Sequence, residues 1–150
     1  MNLQSNNLKQ QEMIEMAILE GKKKCDSNTV DYPLEFFIEQ ISQEQINDEL
    51  NWDALQQSYF IESVLMGLPV LRLIMDNDKN IIDGKQRLYT TINFVNGHLK
   101  LETLKKLSTL NGFHFQDLLL PRQRRFKRIT VRTIVISPSS DISYWLDCQS

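Results

Sequence analysis

The sequence predicts an α+β fold in which a small sheet is flanked by helices. Apolar residues recur every three or four positions in several stretches, which is typical of helices with one buried face. Residues 70–75 and 129–136 are instead rich in β-branched and other apolar residues, which favours strands. Of the 150 residues, 41% are hydrophobic and 24% charged, so the chain can bury the core of one globular domain.

Residues 1–31 are predicted to be an N-terminal helix and a polar loop that precede a main domain at residues 32–150. The first ten residues are rich in Asn and Gln and are expected to fray. A short helix is predicted by four apolar residues at helical spacing: Met13, Ile14, Ala17 and Ile18. The lysine triplet at residues 22–24 suits a helix C-terminus, and nucleic-acid contact is its alternative role. Residues 25–31 are polar and predict the loop.

The first part of the main domain contains two predicted helices. Residues 34–42 carry apolar side chains at helical spacing, whereas residues 43–51 are polar and show no clear pattern. Asp53 and Gln56 resemble a capping box, and the apolar stretch that follows predicts a buried helix ending at Gly67.

Glu62 lies in the middle of that buried helix. A carboxylate there is costly unless it is paired or reaches water. Glu62 therefore either has a partner or belongs to a solvated face, and the sequence leaves both interpretations open.

A hairpin is predicted to lead directly into the next helix. Residues 70–75 and 80–83 are the strands, and the turn between them is rich in Asp and Asn. Apolar residues then recur at helical spacing until Asn96-Gly97, which ends the helix. Asp83 is expected to cap this helix, and Gly84 is expected to let another group approach the backbone closely.

The Asp-Gly turn also has the chemistry of an anion site. The unpaired N–H groups and the positive end of the helix dipole would face whatever lies over the turn. Gln86 and Arg87 add an amide and a fixed cation at the same end, which favours a phosphate. The alternative is an ordinary capped helix with a solvated arginine.

The second half of the chain is basic. Residues 84–150 carry 11 basic and 4 acidic residues, whereas residues 1–83 carry 6 basic and 15 acidic ones. A short strand is predicted at residues 98–101, an apolar turn or helix at 113–120, and a strand at 129–136. Five cations after Pro121 are candidates for nucleic-acid contact: Arg122, Arg124, Arg125, Lys127 and Arg128. The alternative is a solvated loop whose arginines pair with the acidic half.

The sequence gives no sign of a membrane span or of secretion. No apolar run approaches the roughly 20 residues that cross a bilayer, and no basic segment precedes an apolar one at the N-terminus. Cys25 and Cys148 are too far apart for a close metal or redox pair and are expected to be free thiols. We therefore expect a cytoplasmic protein without a membrane partner.

Three motifs in order carry a resemblance to a known family. They are Trp52; residues 58–69, Ser-Tyr-Phe-Ile-Glu-Ser-Val-Leu-Met-Gly-Leu-Pro; and residues 81–91, Ile-Ile-Asp-Gly-Lys-Gln-Arg-Leu-Tyr-Thr-Thr. Over residues 32–136 the chain resembles the N-terminal domain of GmrSD-type restriction enzymes, in the ParB/sulfiredoxin-like superfamily. The signature of that family is Asp-Gly-Gln-Gln-Arg, preceded by a helix that ends in Gly-x-Pro.

The resemblance implies a small ParB/sulfiredoxin-like domain with a short mixed sheet. It also implies a domain that binds nucleoside triphosphates, sometimes with Mg-dependent hydrolysis, and that regulates a nuclease in defence against foreign DNA. The implied nucleotide-binding residues are Glu62, Ser63, Asp83, Gly84, Lys85, Gln86 and Arg87. Of these, Asp83, Gln86 and Arg87 are the implied catalytic residues, and Asp83 is the implied magnesium ligand. The implied partners are the nucleotide, a separate nuclease subunit and DNA.

The chain departs from the family pattern at three places. Lys85 replaces the first Gln of the signature and adds a cation. Asn47-Asp48 stands where the family has Gln-Arg, so an acid replaces a phosphate-binding cation. The chain is short at its C-terminus, and no His-Asn-His nuclease motif follows. It also lacks the loop cysteine of sulfiredoxins, which removes the nucleophile of a thiol-based reductase.

Three hypotheses about function follow. The first is a nucleotide-binding regulatory domain, with or without weak NTP hydrolysis. The second is a DNA- or partner-binding module without enzymatic activity, based on the basic residues 122–128. The third is a truncated remnant that folds but has lost its activity.

Overall fold

The computed structural model describes residues 3–147, in which seven helices surround a four-stranded mixed sheet. The predicted α+β fold is confirmed. Cys25 is half-buried, and Cys148, the other predicted free thiol, lies outside the described residues.

The sheet has the strand order β1-β4-β2-β3. Its strands are β1 (Ser27–Pro33), β2 (Arg72–Met75), β3 (Ile81–Asp83) and β4 (Thr130–Ile136). β4 pairs antiparallel with β1 over seven residues and parallel with β2, and β2 pairs antiparallel with β3. The predicted hairpin is therefore the β2–β3 edge of the sheet.

The helices differ greatly in how much of their surface they bury. They are α1 (Leu3–Lys24), α2 (Leu34–Gln40), α3 (Gln43–Glu49), α4 (Ala54–Leu65), α5 (Lys85–Val95), α6 (Leu120–Lys127) and α7 (Ile142–Asp147). Every residue of α5 from Leu88 to Val95 is buried, whereas α1 has no buried residue. α5 is thus the central helix of the core.

Aromatic side chains connect α5 to the basic part of the chain. Phe94 lies edge-on to Phe115 and to Phe126, with ring centroids 5.5 Å apart in both pairs, and Phe115 lies 5.6 Å from Phe126. Such edge-to-face pairs add to the stability gained from apolar burial. They fix α6 against the core and leave its cations outside.

The prediction of a polar loop at residues 25–31 is wrong. Residues 27–31 instead belong to β1, an edge strand of the sheet whose side chains are all exposed or half-buried. The strand is specified by backbone pairing with β4, which a local polar pattern does not reveal. The predicted boundary between residues 1–31 and 32–150 falls inside β1.

Other elements also differ from the predictions. The helix α1 begins at Leu3, inside the segment expected to fray, and α3 forms within the patternless residues 43–51. Residues 98–101 are not a strand. Instead of lying in a loop, four of the five basic residues lie in α6, and Arg128 is its C-cap.

Within residues 3–147, no helix is both long enough and apolar enough to cross a lipid bilayer.

Candidate functional site

The turn from β3 into α5 forms the start of the candidate site. Gly84 is the N-cap residue of α5, with φ of 93°, and its carbonyl accepts the first helical hydrogen bond from the Leu88 N–H at 3.0 Å. The prediction that Asp83 caps the helix is wrong, because no side chain caps α5. The first-turn N–H groups therefore have no side-chain acceptor at the site where an anion was predicted.

Gly84 is required by the packing of the protein itself. A Cβ atom there would lie 2.4 Å from the carbonyl oxygen of Arg72 and 3.0 Å from Cδ2 of Leu73. The group that approaches Gly84 closely is thus strand β2.

Arg87 is held at the cleft by Asp83. Its Nη2 atom lies 3.2 Å from Oδ2 of Asp83, and its side chain is 25% exposed whereas that of Asp83 is 59% exposed. The Nε atom of Arg87 is buried and has no hydrogen-bond partner in the described chain. A guanidinium has five N–H donors, so Arg87 keeps donor capacity beyond its bond to Asp83.

Gln86 binds the loop between α3 and α4. Its side-chain oxygen accepts from the backbone N–H groups of Asn51 at 2.7 Å and Trp52 at 3.2 Å, and its Nε2 donates to the Glu49 carbonyl at 2.9 Å. Both ends of the amide are therefore used to place Trp52 beside the start of α5.

These groups surround an open cleft of about 480 Å³. Its lining residues are Trp52, Ile81, Ile82, Asp83, Gly84, Lys85, Gln86 and Arg87. The structure thus brings the predicted residues 83–87 together around one cavity and adds an indole ring that the site prediction did not include.

A second cleft of about 340 Å³ shares Ile81 and Lys85 with the first. Tyr89, fully buried, donates its hydroxyl hydrogen to Oε2 of Glu49 at 2.8 Å and accepts from Nε2 of Gln45 at 2.7 Å. Lys85 Nζ lies 3.5 Å from the same Glu49 oxygen. This cluster joins the first turn of α5 to the end of α3.

Hydrogen bonding and burial change the acidity of this cluster. The hydrogen bond from Tyr89 lowers the pKa of Glu49, and Lys85 lowers it further. Burial, with a smaller effect from Glu49, raises the pKa of Tyr89 to about 12. Glu49 and Tyr89 were not predicted as site residues, because residues 43–51 show no pattern and Tyr89 resembles an ordinary helix residue.

Glu62 and Ser63 do not line either cleft. Glu62 is buried, and its Oε2 accepts from the backbone N–H groups of Lys106 at 3.0 Å and Leu107 at 2.9 Å. The Ser63 hydroxyl donates to the Tyr59 carbonyl at 3.4 Å. Of the two interpretations of Glu62, the structure supports the paired one.

The implied magnesium ion can be compared with the residues present. Among residues 3–147, no group of three or more His, Cys, Asp or Glu side chains could hold a metal ion. A Mg²⁺ ion bound with nucleotide phosphates, however, needs only one or two protein carboxylates. The exposed carboxylate of Asp83 fits that smaller requirement.

The cations of the α6 region are all exposed, and none takes part in an ion pair in the described chain. The alternative in which they pair with the acidic half is therefore not supported within residues 3–147. Phe126 is buried in the core, so it offers no exposed ring for stacking on a base.

No protein-family model matches this chain, and no curated protein or solved structure matches it. The resemblance to GmrSD-type N-terminal domains stays a hypothesis based on the three sequence motifs.

Proposed function

We propose that the cleft at the start of α5 binds the phosphates of a nucleoside triphosphate, and that the domain regulates a defence-type system in this way. The observation that carries the proposal is the convergence of an uncapped helix start with Lys85 and Arg87 on one cavity. Helix N–H groups and fixed cations together favour phosphate oxygens.

Each residue of the cleft has a distinct part in this proposal. Arg87 donates to phosphate oxygens, and Asp83 orients it. Lys85 supplies a second positive charge between the two clefts. The half-buried ring of Trp52, placed by Gln86, offers a flat apolar surface to a nucleobase.

Hydrolysis would be a further property of the same site. Mg²⁺ bound with the nucleotide would neutralise charge on the phosphate oxygens, with Asp83 as the protein ligand. Arg87 would stabilise negative charge, whereas the amide of Gln86 is already committed to the backbone at residues 49–52, which favours a positioning role. We therefore propose binding as the main activity and only weak NTP hydrolysis. A separate nuclease subunit would be the regulated partner.

Calorimetric titration with ATP and GTP, with and without Mg²⁺, tests the proposal. We expect saturable binding that Arg87→Ala abolishes and that Arg87→Lys weakens, because lysine keeps the charge but loses the planar fork. The matched control is Arg124→Ala, which removes the same charge from the exposed surface of α6. Unchanged affinity in folded Arg87→Ala protein would contradict the proposal.

A second candidate function is DNA binding by the exposed cations of α6. It is favoured by the absence of ion pairs to these cations within the described residues. Binding should fall steeply as salt rises, and Arg124→Gln with Lys127→Gln should reduce the salt slope by about one unit per cation. Undetectable or salt-independent binding would contradict this function.

A further inference from the structure

The cations in the cleft at the start of α5 are already balanced by carboxylates. Lys85 lines the cleft, and its Nζ atom lies 3.5 Å from Oε2 of Glu49. Arg87 also lines it, and its Nη2 atom lies 3.2 Å from Oδ2 of Asp83. The two positive and two negative charges cancel. Because a polyphosphate carries several negative charges, its binding is favoured by a further cation that has no carboxylate partner.

Arg72 is a cation of this kind beside the cleft. It lies on β2, its side chain is exposed, and it takes part in no ion pair within residues 3–147. Its register partner on the parallel strand β4 is Arg132, which is paired with Asp31 at 3.4 Å. Like charges at adjacent positions of a sheet repel each other, so an anion bound by Arg72 would relieve this repulsion.

A small pocket lies between Arg72 and the pair of Asp83 and Arg87. Its volume is about 170 Å³. Its lining residues are Arg72, Leu73, Ile74, Asp83, Arg87 and Ile134. We call it the β2 pocket. Since pockets for drug-sized ligands measure roughly 300–1,000 Å³, the β2 pocket suits a single phosphate group better than a nucleoside.

Asp83 and Arg87 line both the β2 pocket and the cleft at the start of α5. Arg87 has donor capacity for both cavities. Its Nη2 atom is bound to Asp83, whereas its Nε atom is buried and has no hydrogen-bond partner in the described chain. A guanidinium is a planar fork of five N–H donors, so one arginine can bind two neighbouring phosphate groups. The two cavities are therefore adjacent subsites that share Arg87.

We propose that the β2 pocket holds the terminal phosphate group of a nucleoside triphosphate between Arg72 and Arg87. This inference rests on the proposed function and deepens it, because it names a triphosphate rather than a diphosphate as the ligand. The other phosphate groups lie at the start of α5 beside Lys85. Arg72 then determines specificity, since it contacts only the phosphate group that a diphosphate lacks.

Calorimetric titration of the full chain with Mg·ATP and Mg·ADP tests this inference. We expect the wild type to bind ATP roughly tenfold more tightly than ADP, the effect of one additional charge-assisted contact. Arg72→Gln should weaken ATP binding to about the affinity of ADP. Arg72→Lys should keep a reduced preference for ATP, because lysine retains the charge but lacks the planar fork.

The matched control is Arg132→Gln. It removes the same charge from the register partner of Arg72, on the adjacent strand and outside the β2 pocket. This variant should keep the wild-type preference for ATP. An equal loss of preference in Arg132→Gln would overturn the inference, because it would indicate a long-range effect of charge instead of a contact in the pocket.

The remaining outcomes distinguish this inference from the proposed function. If the wild type bound neither nucleotide, both would be overturned. If the wild type bound ATP and ADP equally, or if the preference survived in folded Arg72→Gln protein, only this inference would be overturned. Circular dichroism confirms that each variant is folded.

Discussion

At the residue scale, Gly84 shows how the fold restricts the site. Its positive φ and its contact with the Arg72 carbonyl both exclude a side chain. We expect Gly84→Ala to lower the free energy of unfolding by roughly 2–5 kcal/mol, the sum of backbone strain and overpacking. Gly112→Ala is the control, because Gly112 has φ of 89° but nothing within 4 Å of its added Cβ, so it reports backbone strain alone. If urea unfolding showed equal losses of stability for the two variants, overpacking at Gly84 would be contradicted.

Tyr89 is the residue whose ionisation should affect stability in alkali. Its folded-state pKa of about 12 lies above the ordinary value of 10.0. The folded protein therefore holds this proton more tightly, and stability should fall as the pH rises between those two values. Tyr89→Phe should remove the loss of stability that comes from this ionisation. Tyr59→Phe, at an exposed tyrosine, should retain it. Urea unfolding over this alkaline range measures the difference.

Tyr89→Phe should also act on Glu49. The variant removes the hydrogen bond that lowers the pKa of Glu49, so that pKa should rise, as NMR titration of the carboxyl group can measure. The lowered pKa of Glu49 stabilises the wild-type fold at pH values above the unfolded-state pKa. This stabilisation is lost as the pH falls through the folded-state pKa. An unchanged pKa of Glu49 would contradict the assigned hydrogen bond.

The residues of the candidate site were only partly predictable. The grouping of Asp83, Lys85 and Arg87 follows from their positions around one strand-to-helix turn, which a local pattern specifies. The clamp from Gln86 to Asn51 and Trp52 spans 35 and 34 positions, and the bond from Tyr89 to Glu49 spans 40. Such contacts depend on the tertiary fold, so no local pattern could reveal them.

At the scale of elements, Glu62 connects α4 to the loop after α5. Glu62→Ala would leave the Lys106 and Leu107 N–H groups without their acceptor, at a cost of roughly 1–3 kcal/mol for each group that stays buried. Glu62→Gln keeps an acceptor oxygen and should cost less. Because Glu62 does not line the clefts, we expect Glu62→Gln to bind nucleotide with wild-type affinity. A loss of affinity in calorimetry would instead support the nucleotide-binding role that the family resemblance implies.

The predictability of each element followed the strength of its local signal. α4 was correctly predicted, and Asp53 caps it as expected by accepting from the Gln56 N–H at 2.8 Å. The hairpin β2–β3 was also correct. β1 and α3 were missed because their polar sequences carry no periodic apolar face, and pairing with β4 or packing against α5 specifies them instead.

At the scale of the whole molecule, the acidic and basic halves of the chain are joined mainly through the apolar core. Three ion pairs in the described residues cross between them: Asp31 with Arg132, Glu49 with Lys85, and Asp83 with Arg87. The cations of α6 make no ion pair with either half within the described residues, and they stay exposed. The core contact through Phe94, Phe115 and Phe126 keeps α6 in place.

The proposed binding of nucleotide phosphates at the start of α5 can be tested by an NMR titration of the backbone amides. Mg·ATP and inorganic triphosphate would each be added to the folded full chain. We expect the largest shifts at the amides of Lys85, Gln86 and Arg87, with the Trp52 indole shifting for Mg·ATP alone. Shifts confined to α6, or no shifts with either compound, would contradict it.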